Sequence, residues 1–218
     1  MIARRIGKQV DVFLRDRHPV ALPDGFTRSG SEVGDGFEGA HGCLLCSWVS
    51  IDVVELLLIA DTHVPKRARD LPDQVWKQVA RADVVIHAGD WVTVELLDEL
   101  QSRAARLVAC WGDNDGPDLR SRLPERADVV LAGLRFTVVH ETGAAGGREA
   151  RMSRLYPDSD VLVFGHSHIP WDTTTSTGLR LLNPGSPTDR RRAPHCTYMT
   201  ATIESGALAG VTLHNIEK

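Results

Sequence analysis

Long apolar runs are missing from this sequence. None reaches the roughly 18 residues that a helix needs to cross a bilayer, so no membrane span is expected. The opening residues, MIARRIGKQVDVFLRDRH, lack a continuous apolar core and a small-residue cleavage site. No secretion signal is read from them, and cytoplasm is the expected compartment. Basic blocks are missing too. With 25 Lys and Arg against 29 Asp and Glu, the net charge is −4, which gives nucleic-acid binding through a charged patch no support. Cysteine is sparse, and Cys43, Cys46, Cys110 and Cys196 do not form the even ladder of a secreted disulfide scaffold. Cys43 and Cys46 make one CLLC with His41 nearby, a weak zinc signal without a second pair. The loop-like GSEVGDGFEGAHG before it lacks the strand that a thioredoxin-like motif requires, so two plain thiols are the simpler reading. No internal repeat is present.

What is present is enough to bury a core. The 218 residues are 42% apolar and 25% charged, which suits one domain with an appendage. The composition changes near residue 53. Before it, LPDGFTRSGSEVGDGFEGAHG is rich in Gly, Ser and charge and has little periodicity. Residues 1–53 are therefore expected to be a disordered N-terminal extension or the product of an upstream start site. The excess of Arg over Lys, a mark of GC-rich coding sequence, suits the second option.

After residue 53 strands and helices alternate. VVELLLIA reads as a buried strand, and LPDQVWKQVARA as a helix with Val75, Trp76 and Val79 at helical spacing. DVVIHAGD and ARLVACWG are strands on either side of a helix, TVELLDELQ, which Thr93 is placed to cap. ADVVLAGLRFTVVH reads as two short strands about Ala132–Gly133, GREARMSRLY as a helix and DVLVFG as a strand. WDTTTSTGLRLLNPGS and CTYMTATIESGALAGVTLHNI read as hairpins, expected to build a second sheet packed on the first.

The ends of these strands collect one kind of residue. The successive strand ends IADTH, HAGD, WGDND, VVHETG and FGHSH carry Asp61 and His63; Asp90; Asp113, Asn114 and Asp115; His140; and His166 and His168. Ligands bind at the carboxyl ends of strands in open α/β sheets. Each piece alone has a plain explanation as a turn, a helix cap or a satisfied histidine. Their ordered conjunction points to a metal site. Mixed oxygen and imidazole donors suit Mn²⁺, Fe, Zn²⁺ or Ni²⁺. They are too many for one ion, and Asp90, on the central strand, is placed to bridge two. Such a pair would clamp a phosphoryl group and supply a hydroxide nucleophile, although another hydrolysis on a dinuclear site stays open.

The ordered set DTH, GD, GDND, VVH and GHSH, followed by NPGS, resembles the calcineurin-like metallophosphoesterases, in particular their small bacterial and archaeal phosphodiesterases. The resemblance runs from Val54 to the C-terminus, about three quarters of the chain, and makes 54–218 the expected metallophosphoesterase domain. It implies a four-layer αββα sandwich, an α/β fold of two mixed β-sheets flanked by helices. It implies metal-dependent hydrolysis of a small-molecule phosphate ester, most simply a phosphodiester, with Mn²⁺ the first choice of ion and a metal-bridging hydroxide as nucleophile. Asp61, His63 and His168 would hold one ion, His140 and His166 a second, and Asp90 both.

Three departures from the family pattern stand out. Where the family carries Asn directly after Gly to complete the second site, this chain has Asp113, with Asn114 one place later as the alternative ligand. The retromer subunit of this fold, an inactive branch, resembles this chain in having Asp there, so the alternative function is a weakly active or inactive protein-interaction scaffold. Larger relatives place a histidine acid where Asn114 stands, and an amide cannot protonate a leaving group near neutral pH. Thr142 replaces the second histidine of the HGH found in small relatives, leaving Glu141 and Thr142 at the substrate rim. Asp115 is expected to orient loop groups. Arg190, Arg191 and Arg192 are candidate phosphate contacts, with a solvated loop the simpler reading, and Lys66 and Arg67 are similar rim candidates. Trp91 and Trp171 are expected in the core. Self-association stays open.

Overall fold

A computed structural model describes Gln9–Val10 and residues 53–217. The rest of the expected extension, with His41, Cys43 and Cys46, lies outside the described residues. β1 (Gln9–Val10), β2 (Val54–Ile59), β3 (Val84–Ala88), β4 (Arg106–Cys110), β10 (Thr197–Glu204) and β11 (Ala207–Asn215) form one sheet, in the order β1-β4-β3-β2-β10-β11. β5 (Arg126–Leu131), β6 (Leu134–Val139), β7 (Val161–Val163), β8 (Trp171–Thr174) and β9 (Arg180–Asn183) form the other, in the order β5-β6-β7-β9-β8. The helices are α1 (Asp73–Val79), α2 (Val94–Arg103), α3 (Pro117–Arg122) and α4 (Arg148–Leu155).

The period of two along each strand explains the layering. In β2, Leu56 and Leu58 face the other sheet, where they meet Phe136, Val138 and Val163. Leu57 and Ile59 face the opposite way and pack with Val75, Val79, Leu97 and Leu100 of α1 and α2. A strand covered on both faces must be apolar at every position, which is why VELLLI shows no alternation. Fully burying one such leucine is worth about 1.5–3 kcal/mol. On the outer face of the second sheet, Met152 of α4 covers Leu162, Phe164 and Leu181. The result is the four-layer αββα sandwich that the sequence implied. β5, at an edge, alternates buried Ala127, Val129 and Leu131 with exposed Arg126, Asp128 and Val130.

Three expectations change. The two hairpins do not build the second sheet together. β8–β9 joins it, but β10–β11 extends the first sheet, with Met199 opposite Leu58 and Ala201 opposite Leu56. A hairpin pattern fixes its own two strands and says nothing about which third strand they join. Thr93 occupies the N-cap position of α2, but its side chain makes no capping hydrogen bond. α3 was not expected: PDLRSR buries only Leu119, too little for a periodic signal, although Pro117 sits in its first turn.

Candidate metal centre

Parallel pairing aims the strand ends at one place. β2, β3 and β4 run parallel in the first sheet, as do β6, β7 and β9 in the second. The loops after β2 and β3 are tied together, with Asp61 N–H donating to Gly89 O at 2.9 Å and His63 N–H to Asp90 O at 3.0 Å. Gly165 N–H donates to His140 O at 3.0 Å and joins the loops after β6 and β7.

Glycines make the approach possible. A Cβ on Gly89 would lie 2.8 Å from His140 Nδ1, one on Gly165 2.8 Å from Asp61 Oδ2, and one on Gly112 2.3 Å from Asp90 N. The backbone is also held in a rarely populated region. Asp61, His63, Asp90, His166 and His168 have φ of 53, 44, 62, 67 and 57°. Left-handed backbone at non-glycine residues costs on the order of 1–3 kcal/mol each and persists where the surroundings over-determine it.

The side chains then meet in groups. The donor atoms of Asp61, His63 and His168 lie within 4.8 Å of one another, as do those of Asp113, His140 and His166, and those of Asp61, Asp90 and His140. Asp90 Oδ2 is 3.5 Å from His63 Nε2 and 3.4 Å from His140 Nε2. Asp113 Oδ2 is 3.0 Å from His166 Nδ1 and 3.9 Å from His140 Nε2. Asn114 instead turns onto Asp90, donating its backbone N–H to Oδ1 at 2.8 Å and its side-chain amide to Oδ2 at 2.7 Å. Asp61, Asp90 and His168 are sealed from solvent, whereas Asp113 and His166 are half exposed. The centre therefore opens on the Asp113 side, beside a cavity of about 550 Å³ lined by Trp111, Arg120, His140, Glu141 and Tyr156.

The donors are set up for cations. His140 Nδ1 donates to Ala88 O at 2.8 Å and His168 Nδ1 to Asp189 O at 2.6 Å. A carbonyl can only accept, so in the neutral rings each Nε2 is a bare lone pair facing inward. His140 Nε2 and Asp61 Oδ2 are buried without a hydrogen-bond partner. The bare His168 Nε2 accepts a hydrogen bond from His63 Nε2–H at 3.1 Å, a bond that a cation between them would replace. Without a cation the electrostatics are adverse. Burial pushes the Asp61 carboxyl up to about 8 against the pull of His140. Burial would lower His140, but the Asp90 carboxylate and the charge on Asp61 take it up to about 9. Burial holds His168 down at about 4. Burial also works against the Asp90 carboxylate, yet His140 and Asn114 keep it well below the ordinary range.

Supporting residues complete the centre. Asp115 accepts the N–H groups of Asp90, Trp91, Val92 and Gly112, as its expected orienting role requires. Trp91 is fully buried as expected, while Trp171 is only half-buried, packed against the Leu162–Leu181 cluster at the margin of the core with Arg148 over its ring at 4.7 Å. In NPGS, Asn183 donates to Gly165 O, and Gly185 has φ 74° where a Cβ would lie 2.1 Å from Thr197 Oγ1.

The sequence reading missed His87. Its Nδ1 accepts Gly89 N–H at 3.2 Å, so its Nε2–H donates to Thr62 Oγ1 at 3.0 Å, and Thr62 reaches Asp90 O at 3.4 Å. A single histidine inside an apolar strand carries no signal of this role. Ser186, which donates to Asp61 O at 2.7 Å, was legible only as part of NPGS.

A family model described as the calcineurin-like phosphoesterase superfamily domain matches residues 54–206. A "probable metallophosphoesterase" of Methanocaldococcus jannaschii is 34% identical over 148 residues, covering 67% of this chain and 74% of that protein. A protein of the same organism named a phosphodiesterase is 27% identical over 97 residues, 39% of this chain and 57% of its own. A Thermotoga maritima protein of solved structure superposes with a TM-score of 0.61 at 29% identity, covering 75% of this chain and 99% of that one.

Proposed function

Because this chain belongs to the calcineurin-like phosphoesterase superfamily, we propose that it is a metal-dependent phosphodiesterase working at the strand-end cluster. In this reading Asp61, His63 and His168 hold one divalent cation, Asp113, His140 and His166 hold a second, and Asp90 serves both. The carrying observation is the place of Asp90 Oδ2, 3.5 Å from a nitrogen of one group and 3.4 Å from a nitrogen of the other. Bound there, two cations would supply Lewis acidity toward a phosphoryl oxygen and a hydroxide nucleophile at neutral pH.

The chain's own residues set the rest. The mixed oxygen and nitrogen donors suit Mn²⁺, Fe, Zn²⁺ or Ni²⁺, and the family resemblance makes Mn²⁺ the first choice. Asp113 adds charge to the second group, which tightens cation binding and reduces its electrophilicity. Asn114 is engaged with Asp90, so it orients the shared carboxylate and leaves the departing alkoxide unprotonated. Esters with good leaving groups are then preferred. The active domain is proposed to span 54–218 and to work in the cytoplasm on small phosphate esters.

The test is hydrolysis of bis(p-nitrophenyl) phosphate by full-length protein with Mn²⁺, with chelator, and with Asp90→Asn. Turnover that needs metal and disappears in the variant is expected. Absence of turnover with each of the four metals would sink the reading and leave the scaffold role.

A further inference from the structure

Of the three arginines that follow NPGS in sequence, Arg190 and Arg191 turn in different directions. Arg190 turns back on its own loop, donating from Nη1 to Ala193 O at 3.0 Å. Arg191 turns to the metal centre, where its Nη1 donates to the backbone carbonyl of His166 at 3.1 Å. Its position is fixed from both sides. Its backbone N–H donates to Asp189 Oδ1 at 3.2 Å, and its φ of 44° lies in the left-handed region that a bulky residue adopts only under constraint. Asp189 is itself anchored, its backbone N–H on Ser186 Oγ at 2.9 Å, its carbonyl on His168 Nδ1 and its carboxylate on Arg67 at 3.2 Å. The guanidinium is thus tied by one nitrogen to the loop carrying His166 and His168, while its side chain remains exposed. Its charge is felt at Asp61, His63 and His168. The other, exposed side of the centre carries Asp113 and Glu141 with Arg120 and Arg126 in the same cavity, so Arg191 is the exposed cation tied to the histidine loop itself.

We infer that Arg191 is the substrate-phosphate ligand of this centre: an exposed guanidinium held on the loop of His166 and His168, whose remaining N–H groups bind a non-bridging oxygen of the phosphate ester. The inference rests on the phosphoesterase reading above. Guanidinium suits the role because its fork of donors matches phosphate oxygens and its charge does not titrate. The left-handed backbone also supplies a clean variant. Arg191→Gly removes the cation and relaxes the strain at this φ, and Mn²⁺ stoichiometry reports whether the lost bond to His166 O disturbs the ligand loop.

The experiment titrates inorganic phosphate into Mn²⁺-loaded full-length protein by calorimetry and measures kcat and KM on bis(p-nitrophenyl) phosphate. The proteins are the wild type, Arg191→Gly and Arg191→Lys. Loss of one charged donor to phosphate predicts about 10- to 100-fold weaker phosphate binding in the glycine variant, with a similar fall in kcat/KM. The lysine variant should recover part of it, added guanidinium should rescue the glycine variant, and Mn²⁺ stoichiometry should stay at the wild-type value. Unchanged phosphate affinity in Arg191→Gly would overturn the inference. So would a loss that tracks lost Mn²⁺, because Arg191 would then act by holding the His166 loop. The two readings fail separately. Arg191-dependent phosphate binding without turnover keeps the inference and removes the phosphodiesterase, and turnover indifferent to Arg191 does the reverse.

Discussion

Asp115 offers the sharpest test of how the centre is assembled. It is almost fully buried, and each carboxylate oxygen accepts two backbone N–H groups. Oδ1 takes Trp91 and Val92, both at 2.8 Å, and Oδ2 takes Gly112 at 2.7 Å and Asp90 at 3.1 Å. One side chain thereby staples the loop after β3 to the loop after β4, and so fixes Asp90 relative to Asp113. Asp115→Asn keeps the shape and reverses the chemistry of one end. Whichever way the amide turns, its NH₂ faces two N–H donors, and two buried donors lose their acceptor. At about 1–3 kcal/mol per unsatisfied buried donor, the cost is about 2–6 kcal/mol. For a domain of this size that lowers the melting temperature by about 4–24 °C at about 2–4 °C per kcal/mol. Urea unfolding of metal-free protein measures it, as a shift in midpoint at constant slope. Mn²⁺ affinity should fall in the same variant, because the two loops part. A variant within about 0.5 kcal/mol of wild type, the range of ordinary surface changes, would show that the four N–H groups find other partners and that the staple is not structural.

Gly112→Ala should weaken Mn²⁺ binding and metal-dependent turnover, because the new Cβ would lie 2.3 Å from Asp90 N and 2.4 Å from Asp90 Oδ1. Gly116→Ala, four residues on and with nothing within 4 Å of the new Cβ, is the matched control, and equal behaviour of the two by metal titration would refute the packing argument. Metal-free protein should lose stability as pH rises from 6.5 toward 9. Asp61, raised to about 8, and His140, raised to about 9, keep protons in the folded chain that the unfolded chain has already released. The slope is on the order of 1.4 kcal/mol per pH unit for each retained proton. His168, lowered to about 4, acts in the opposite direction but only below 6.5, so it does not offset this window. Urea midpoints in chelator at several pH values test the sign, and a midpoint that stays flat or rises would refute it. Mn²⁺ affinity should rise over the same range, since binding displaces those protons.

Much of the centre was legible because its donors sit directly after strands, where residue type and position coincide. Asp61, His63, Asp90, His140, His166 and His168 all stand at such ends, and chain order alone placed them together. Asp113 was favoured over Asn114 from its place directly after Gly112, but how the two side chains turn was not legible. The two are adjacent, and only the path of the 111–116 loop turns one toward His166 and the other onto Asp90. His87 was invisible for another reason: in sequence it is one polar residue in a run of valines, and its task depends on Thr62 folding over it. The sheet that each hairpin joins was likewise open, because alternation sets which face of a strand is buried and not which neighbour it pairs with.

The sequence by itself determined the alternation of strands and helices, the apolar strand cores and the kinds of donor waiting at the strand ends, since these follow from local period and residue chemistry. Tertiary structure alone decided how Asp113 and Asn114 turn, that Arg191 rather than Arg190 bonds the His166 loop, and which side of the centre meets solvent. Those are distances between residues far apart in the chain, fixed by how two sheets stack and by the few ångströms that Gly89, Gly112 and Gly165 leave open.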